Sequence, residues 1–329
     1  DGYFVMRPGV TIAVTEAAKN GVHVKGDADD NMGIVINGGL LYANIAAEAG
    51  KAMKTDQSVV VNGGQLLLNT SGGSYYDNDE QDTTSPSCIK ADGDVTINDG
   101  ELTLKSTGTG GKGISADGKV NIAGGTTTIA TTGGKYTYTQ DLTSSPKGIK
   151  AEGDLNISGG KLSVSVTGKS DGSEGIESKS TINISGGETY VYAYDDACNA
   201  ANSIVVSGGN VFCHSVNNDG IDSNGTISVS GGTVVASGTN VPEGGFDCDF
   251  QNNFSVTGGT LIGIGGTNTL PSTASTQCCL AYGGLTAAKG ATLKIVNSNN
   301  TAVLSYKLHR TLTGLALLVS SPQLKKDSY

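Results

Sequence analysis

The sequence predicts an all-β chain, a single-stranded right-handed parallel β-helix of about ten coils with a β-rich C-terminal cap. Glycine accounts for 50 of the 329 residues without a collagen period, and a Gly-Gly pair (once Asp-Gly) recurs every 22 to 36 residues. Apolar and polar residues alternate on both sides of each pair, which is typical of short strands with one buried face. A leucine-rich repeat would need a helix or a long Leu/Asn signature, and neither is present.

Each repeat is predicted to contain three strands and three turns. Positions four and two residues before the first glycine are apolar, as are positions three and five after it. One repeat shows this with Leu155 and Ile157, followed by Leu162 and Val164. A third strand carries an apolar residue ten positions before the glycine, here Ile149. The glycines permit the positive φ that a sharp corner needs.

The repeats predict a solenoid over residues 1–284 and a cap over 285–329 that packs on the solenoid end. Two insertions, at 70–87 and 131–147, interrupt the solenoid at the same place in the repeat and end in similar Ser-Pro sequences. Only one short repeat separates them, so both loops should project from the same edge, ~10 Å apart. Cys198, Cys213 and Cys248 occupy inward positions and are predicted to be buried thiols.

Composition narrows the range of functions. The net charge of −10 argues against nucleic acid as a partner, and no run of 18 apolar residues predicts a membrane span. The chain begins in strand-like sequence without a signal peptide, so we interpret it as a mature or trimmed chain. The predicted fold and a surface rich in Thr, Ser, Asn and Gly lead us to expect an exported protein, and we expect a monomer. An extracellular or cell-surface location is expected, with lipid anchoring through a removed N-terminus left open.

Two columns of outward side chains change charge in the same repeat. Nine residues before the glycine, the column comprises Asp29, Lys54, Lys90, Ser115, Lys150, Glu177, Asn199, Asp222 and Asp249. Twelve residues before it, the column comprises Lys51, Ser87, Lys112, Lys147, Glu174, Asp196, Asp219 and Phe246. Carboxylates stacked ~5 Å apart repel by about 1–3 kcal/mol per pair at surface dielectric. The acidic half therefore needs something to offset this repulsion.

Calcium would offset it, because carboxylate and amide oxygens are the ligands that Ca²⁺ prefers. The alternative is a solvated acidic face whose Asp and Asn side chains serve turns. Three scattered histidines do not predict a transition-metal site. The predicted calcium ligands are Glu174, Glu177, Asp195, Asp196, Asn199, Asn218, Asp219, Asp222, Asp247 and Asp249.

The basic half and the two loops predict a sugar-binding surface, because aromatic rings and polar donors lie together along one groove. The predicted ligand-binding residues are Tyr75, Tyr76, Lys90, Lys112, Tyr136, Tyr138, Lys147 and Lys150. The alternative is that each loop tyrosine packs over its own coil. A further run, Tyr190, Tyr192 and Tyr194, alternates outward and indicates either a second stacking face or a β-favouring surface.

Catalysis stays open, and no catalytic residue is assigned. A pectinase-type hydrolase needs a tight carboxylate cluster, which Asp195, Asp196, Asp219 and Asp222 would supply. A calcium-dependent lyase needs an Arg or Lys base beside the metal. The chain has only two arginines, near its ends, and the lysine column is displaced from the densest acidic cluster.

The chain resembles a known family in four segments: Asn218-Asp219-Gly-Ile-Asp222-Ser-Asn-Gly225, Ile227-Ser-Val-Ser-Gly-Gly232, Phe246-Asp-Cys-Asp249 and Val319-Ser-Ser-Pro-Gln-Leu324. It is similar to the carbohydrate-binding domain-containing β-helix proteins, surface proteins of clostridia and gut Bacteroidetes. The resemblance implies a non-catalytic module with a pectate-lyase-like β-helix, bound calcium, and affinity for cellulose and polygalacturonate.

The leading hypothesis is an exported, non-catalytic carbohydrate-binding protein that recognises plant or acidic polysaccharide and holds structural or bridging calcium. The first alternative is a polysaccharide lyase or hydrolase acting on uronic-acid polymers. The second is an adhesin or structural spacer whose charged columns only keep the rod in solution.

Overall fold

The computed structural model describes residues 2–26, 33–249 and 253–326, and within them every regular element is a β-strand. The first strands are β1 Phe4–Met6, β2 Thr11–Val14, β3 Asn20–Val24, β4 Ile34–Ile45, β5 Lys51–Thr55, β6 Val59–Thr70, β7 Tyr75–Asp77, β8 Asp82–Thr84, β9 Ser87–Ala91, β10 Val95–Ile97, β11 Glu101–Ser106, β12 Lys112–Ala116, β13 Val120–Ile122, β14 Thr126–Thr131, β15 Tyr136–Thr137, β16 Thr143–Ser144 and β17 Lys147–Ala151. The remaining strands are β18 Leu155–Ile157, β19 Lys161–Val166, β20 Glu174–Ser178, β21 Thr181–Ile184, β22 Glu188–Ala193, β23 Cys198–Ala200, β24 Ser203–Val206, β25 Asn210–Ser215, β26 Ile221–Ser223, β27 Thr226–Val229, β28 Thr233–Ser237, β29 Phe246–Cys248, β30 Phe254–Val256, β31 Thr260–Gly265, β32 Cys279–Ala287, β33 Thr292–Val296, β34 Ala302–Lys307 and β35 Leu312–Ser320.

The chain is all-β, and most of its strands pair in parallel in two large sheets. One sheet has nine strands in the order β29-β26-β23-β20-β17-β12-β9-β5-β3, and the other has twenty. Each strand pairs with the equivalent strand of the neighbouring repeat, as β18 pairs with β13 and β21, and β19 with β14 and β22. Most repeats thus supply one strand to the nine-stranded sheet and two to the larger sheet, as the sequence predicts. In the repeats of β4 and β6 the two predicted strands are one continuous strand.

The Gly-Gly corners have the predicted backbone conformation. The second glycine of every pair has positive φ, from +69° at Gly125 to +93° at Gly64 among the Gly-Gly pairs, with +113° at Gly100 in the Asp-Gly variant. The corners also stack closely, because a Cβ on Gly160 would lie 2.6 Å from the carbonyl carbon of Gly124 in the neighbouring repeat. Glycine is therefore required at these corners for two reasons: the backbone has positive φ, and the neighbouring repeat leaves no room for a Cβ atom.

The inward positions form a continuous core from Met6 to Leu318, in which Leu155, Ile157 and Val164 have no more than 1% of their surface exposed. The prediction of buried thiols is confirmed. Cys198, Cys213 and Cys248 are buried and form no disulfide among the described residues, and the Sγ atoms of the first two lie 2.9 Å apart.

Two predicted positions in the charged columns are wrong. Phe246 is a core residue, 1% exposed and paired with Ile221, and Asp247 rather than Asp249 pairs with Asp222. Counting back from Gly258 fails because this repeat is two residues longer between its first strand and the glycine. At the other end His23 pairs with Lys54, so His23 occupies the position assigned to Asp29, which lies outside the described residues.

The C-terminal segment pairs differently from the repeats. Strand β35 runs antiparallel to both β31 and β32, and β33 and β34 form an antiparallel hairpin. The leucines of the C-terminal segment, together with Ile295, cover Val235, Ile262 and Ile264 on the outer face of the large sheet. These residues form a second apolar cluster. Strand β32 crosses residue 284, so the division of the chain at that residue stays a prediction.

Candidate functional site

The nine-stranded sheet aligns the charged side chains as the sequence predicts. Its first column joins Lys51, Ser87, Lys112, Lys147 and Glu174. The second joins Lys54, Lys90, Ser115, Lys150, Glu177, Asn199, Asp222 and Asp247. Both columns change from basic to acidic between β17 and β20, which confirms that the change occurs in one repeat. We call strands β5 to β17 the basic half and strands β20 to β29 the acidic half.

The two insertion loops lie side by side, as predicted. Each carries a short antiparallel hairpin, β7–β8 and β15–β16. The rings of Tyr76 and Tyr138 stack with centroids 4.0 Å apart and planes 4° from parallel. Below them, the Ser85 and Ser144 hydroxyls lie 2.5 Å apart and the Thr83 hydroxyl donates to the Thr143 carbonyl at 3.3 Å. The tyrosines therefore pack on each other across the two loops, and Tyr138 remains 52% exposed.

A polar cavity of about 380 Å³ lies where the hairpins meet the basic half. We call it the basic pocket. Its lining residues are Asp82, Thr83, Ser85, Lys112, Thr143, Ser144, Ser145, Lys147, Lys150, Glu177 and Lys179. Three of the predicted ligand-binding lysines thus come together here.

Lys112 is the unbalanced charge of the basic pocket. Its Nζ donates to the Ser144 hydroxyl at 2.9 Å and to the Gly110 carbonyl at 3.1 Å, and within the described residues it forms no ion pair. Burial, together with the neighbouring Lys150 and Lys147 charges, lowers the pKa of Lys112 to about 7. A bound anion would relieve this penalty.

The other predicted lysines are paired with carboxylates. Lys147 Nζ lies 2.6 Å from Glu174 Oε2 and 3.2 Å from Glu177 Oε2. Burial acts to lower the pKa of Lys147, but the two glutamates outweigh it and raise the value. Lys150 pairs with Glu152 at 2.6 Å.

Several predicted ligand residues lie outside the basic pocket. Lys90 pairs with Asp117 at 2.5 Å and Asp92 at 3.1 Å. Tyr75, Tyr76, Tyr136 and Tyr138 belong to the hairpins, and none of them lines the cavity. They form part of the hairpins beside the pocket and not part of its lining.

Sequence reasoning missed the hydroxyl groups that line the basic pocket. Ser85, Thr143, Ser144 and Ser145 belong to the paired Ser-Pro segments that end the two insertions. The signal was visible as a repeated motif, but it predicted only where the loops end. It did not predict that the two ends meet over the lysines.

The acidic half holds buried carboxylates with no cationic partner. Asp195, Asp196 and Asp219 are 4–6% exposed, which does not fit a solvated acidic face. Burial, together with the charges of neighbouring carboxylates, raises the pKa of Asp196 to about 8, of Asp219 to about 9 and of Asp222 to about 7. In the described part of the chain none of these three forms an ion pair with Lys or Arg.

Amide groups partly satisfy these carboxylates. Asn199 Nδ2 donates to Asp196 Oδ2 at 3.1 Å and to Asp222 Oδ2 at 2.9 Å, bridging adjacent repeats. The backbone N–H of Asp219 donates to Asp196 Oδ1 at 3.0 Å. Two of these three bonds join adjacent repeats rather than residues of one turn, and all three leave the negative charge unbalanced.

The remaining predicted calcium ligands differ in their surroundings. Asp195 accepts bonds from Asn218 Nδ2 at 2.7 Å and from the Gly172 N–H at 2.5 Å. Asp247 accepts from the Thr269 hydroxyl at 3.0 Å, whereas Asp249 is exposed. Glu174 and Glu177 share Lys147, and Glu177 also pairs with Lys179, so two lysines balance these two carboxylates.

The acidic half fits a hard cation by its chemistry, since its donors are carboxylate and amide oxygens and its charge is unbalanced. As placed, no three His, Cys, Asp or Glu side chains of the described residues converge on one point that would hold a metal ion. An ion here would need an amide oxygen or a backbone carbonyl among its ligands.

A family model described as "Carbohydrate-binding domain-containing protein" matches the chain over residues 3–135, 107–172, 132–220 and 165–307. These overlapping matches cover most of the chain, so the chain belongs to this family. Membership supports a carbohydrate-binding role. No curated protein and no solved structure matches the chain. None of the described residues forms a helix long and apolar enough to cross a membrane.

Proposed function

We propose that this chain is a non-catalytic, extracellular or cell-surface protein with a pectate-lyase-like right-handed parallel β-helix, and that its basic pocket binds acidic polysaccharide. One observation carries the proposal: Lys112 lies in a cavity of about 380 Å³ with hydroxyl donors and no carboxylate in its ion-pairing range among the described residues. Each successive repeat adds one parallel strand to the nine-stranded sheet, and this regular stacking supports the β-helix.

A uronic-acid unit matches the groups that line the basic pocket. Its carboxylate would pair with Lys112, and its hydroxyls would exchange hydrogen bonds with Ser85, Thr143 and Ser144. A charge-assisted hydrogen bond in a partly buried site contributes about 1.5–3 kcal/mol. The half-exposed Tyr138 at the rim would contact a neighbouring unit of the polymer.

Calcium is the second part of the proposal. The ion would be held by the oxygens of Asp196, Asp219 and Asp222 together with Asn199, whose amide bridges two of these carboxylates. It would offset the repulsion among carboxylates that burial already penalises. Turning the Asn199 amide would present its oxygen, instead of its NH₂ group, to the ion.

Isothermal titration with hexagalacturonate tests the ligand. Lys112→Met is expected to weaken binding at least tenfold, because among the lysines that line the basic pocket it removes the one that forms no ion pair with the described residues. Lys105→Met, an exposed lysine on β11 in the other sheet, removes the same charge and should leave affinity unchanged. Equal losses in the two variants would mean that only net charge matters, and the absence of binding to the wild type would end the proposal.

Thermal unfolding with calcium or EDTA tests the ion. Calcium at 100 times its Kd should stabilise the protein by about 2.7 kcal/mol. The Asp196→Asn/Asp222→Asn double variant should lose that gain. Identical unfolding midpoints of the wild type with calcium and with EDTA would remove calcium from the proposal.

A polysaccharide lyase or hydrolase is the second candidate, favoured by carboxyl groups whose pKa values burial raises to between about 7 and 9. Such groups are protonated near neutral pH and can act as acids. An assay for unsaturated product and for new reducing ends, with Asp219→Ala as the control, separates catalysis from binding. Constant absorbance and constant reducing-end concentration would exclude it.

Cell fractionation with a protease-shaving control tests the location. Recovery of the protein only from the cytoplasmic fraction would contradict a role at the cell surface.

A further inference from the structure

A column of side chains on the outer face of the large sheet, a different sheet from the one that carries the basic pocket, has a graded exposure. The register aligns Ser163, Tyr190, Phe212, Val235 and Ile262 on strands β19, β22, β25, β28 and β31. The C-terminal segment covers Val235 and Ile262, which are buried. Phe212 is half-buried at the rim of that cover, and Tyr190 beyond it is 48% exposed.

The two aromatic rings of this column form a fixed stack. The centroids of Tyr190 and Phe212 are 4.9 Å apart and their planes are 4° from parallel. The edge of His309 holds Phe212 from the C-terminal side, at 4.9 Å and 88°. Tyr190 is therefore oriented before any ligand arrives, which reduces the entropy lost on binding.

The stack of rings ends at Tyr190 and does not continue onto the next strand of the sheet. Neighbouring strands lie ~4.8 Å apart, which matches the separation of the two rings, so each strand has room for one ring. The next strand, β19, offers Ser163, which is too small to fill that place. The second face of the Tyr190 ring is therefore open above Ser163.

A polar column borders the open place. The register aligns Lys161, Glu188, Asn210 and Thr233 beside the rings. Lys161 and Glu188 are exposed and lie 3.6 Å apart, so their charges balance. The two columns line a cavity of about 470 Å³. Unlike the basic pocket, this cavity combines an aromatic face with a rim that has no net charge.

We propose that the open face of Tyr190 binds a neutral hexopyranose ring, which fills the place above Ser163 and continues the aromatic stack. A pyranose presents an apolar face of C–H bonds to the Tyr190 ring and equatorial hydroxyls at its edge. Those hydroxyls reach Lys161, Glu188 and Asn210 as hydrogen-bond partners. This site extends the proposed carbohydrate-binding function and rests on it, but it takes a neutral sugar in a different sheet.

The experiment is titration of the full chain with cellohexaose and maltohexaose, two neutral glucose oligomers of different linkage, alongside hexagalacturonate. Tyr190→Ala removes the stacking face, and Ser163→Phe fills the open place while keeping Tyr190. Each variant should weaken binding of the neutral hexamer about tenfold, the size of one lost aromatic contact with its hydrogen bonds. Neither should change the affinity for hexagalacturonate. Tyr282→Ala, an equally exposed tyrosine on β32, is the matched control and should bind like the wild type.

Unfolding midpoints within a degree of wild type for Ser163→Phe establish that loss of binding is local. Neutral-hexamer binding that survives in both variants would overturn the proposal, as would failure of the wild type to bind either neutral hexamer. If hexagalacturonate still binds in that case, the function of the basic pocket stands; if no oligosaccharide binds, both proposals fail. A concentration-dependent mass in light scattering that Tyr190→Ala abolishes would assign the face to a second copy of the chain, and would also overturn the sugar site.

Discussion

The basic and acidic halves of the nine-stranded sheet occupy equivalent positions of the same repeat, yet their charges are handled differently. In the basic half two hairpins cover the lysines, and Lys147 at the boundary is paired with two glutamates. In the acidic half Asp196 and Asp219 are buried and Asp222 is half-buried, and none of the three pairs with a lysine or arginine of the described residues. The comparison shows that the repeat fixes where a side chain lies, whereas the insertions and neighbouring repeats determine its charge state.

The boundary between the halves should be the most sensitive point. Lys147→Met leaves Glu174 and Glu177 buried without their shared partner, and should destabilise the fold by about 3–5 kcal/mol, because uncompensated buried charge is costly. Lys150→Met breaks the more exposed pair with Glu152 and should cost no more than about 1 kcal/mol. Urea unfolding followed by circular dichroism measures both. Equal costs would mean that the boundary pair is no more important than a surface pair.

The two halves should respond to pH in opposite directions. The folded pKa of Lys112, about 7, lies below its usual 10.5, so the unfolded chain binds more protons between these values and stability rises with pH there. The folded pKa of Asp219, about 9, lies above its usual 3.8, so the folded chain binds more protons and stability falls as pH rises from about 4 to 9.

In EDTA, Asp219→Asn should therefore stabilise the protein at pH 8.5 by about 1–3 kcal/mol, the cost of an unsatisfied buried polar group. The same variant should reduce the loss of stability as the pH rises. Lys112→Met should instead remove the increase in stability between pH 7 and 10. Unfolding midpoints measured from pH 5 to 10 give both slopes. Slopes that change in the same direction in the two variants would contradict the comparison.

The smallest effect on stability is expected in the two hairpins that cover the basic half. Tyr138→Ala removes the stack with Tyr76, worth about 0.5–1.5 kcal/mol. We expect the 131–147 loop to be cut faster by protease while the global unfolding midpoint changes little. Tyr282→Ala, outside the hairpins, should leave the cleavage rate of that loop unchanged. A cleavage rate unaffected by Tyr138→Ala would show that the stack does not order the hairpins.

Much of the architecture was predictable because its signals are local. The alternation around Leu155 and Ile157, and the positive φ of the glycine that follows, depend on a few neighbouring residues. The two charged columns followed by counting from the glycines. Counting failed at Phe246 because the connection in that repeat is two residues longer, and no local signal marks the extra residues.

The candidate sites were predictable only in part. The sequence placed Lys112 and Lys147 in one column, but it did not show that one is paired and the other is not. That difference depends on β20, which brings Glu174 beside Lys147, and on Ser144, which arrives from an insertion 32 residues away. The open face of Tyr190 likewise depends on three neighbouring strands, because a stack exists only where adjacent repeats both supply rings.

The sequence by itself determined the repeat, the three strands in each unit and the change of charge along one face, because each follows from residue spacing within a repeat. Only the tertiary structure decided which charges are balanced, which are buried and where an aromatic face is left open. Those properties arise between repeats, from side chains such as Lys147 and Glu174 that are 27 residues apart in the chain and in contact in space.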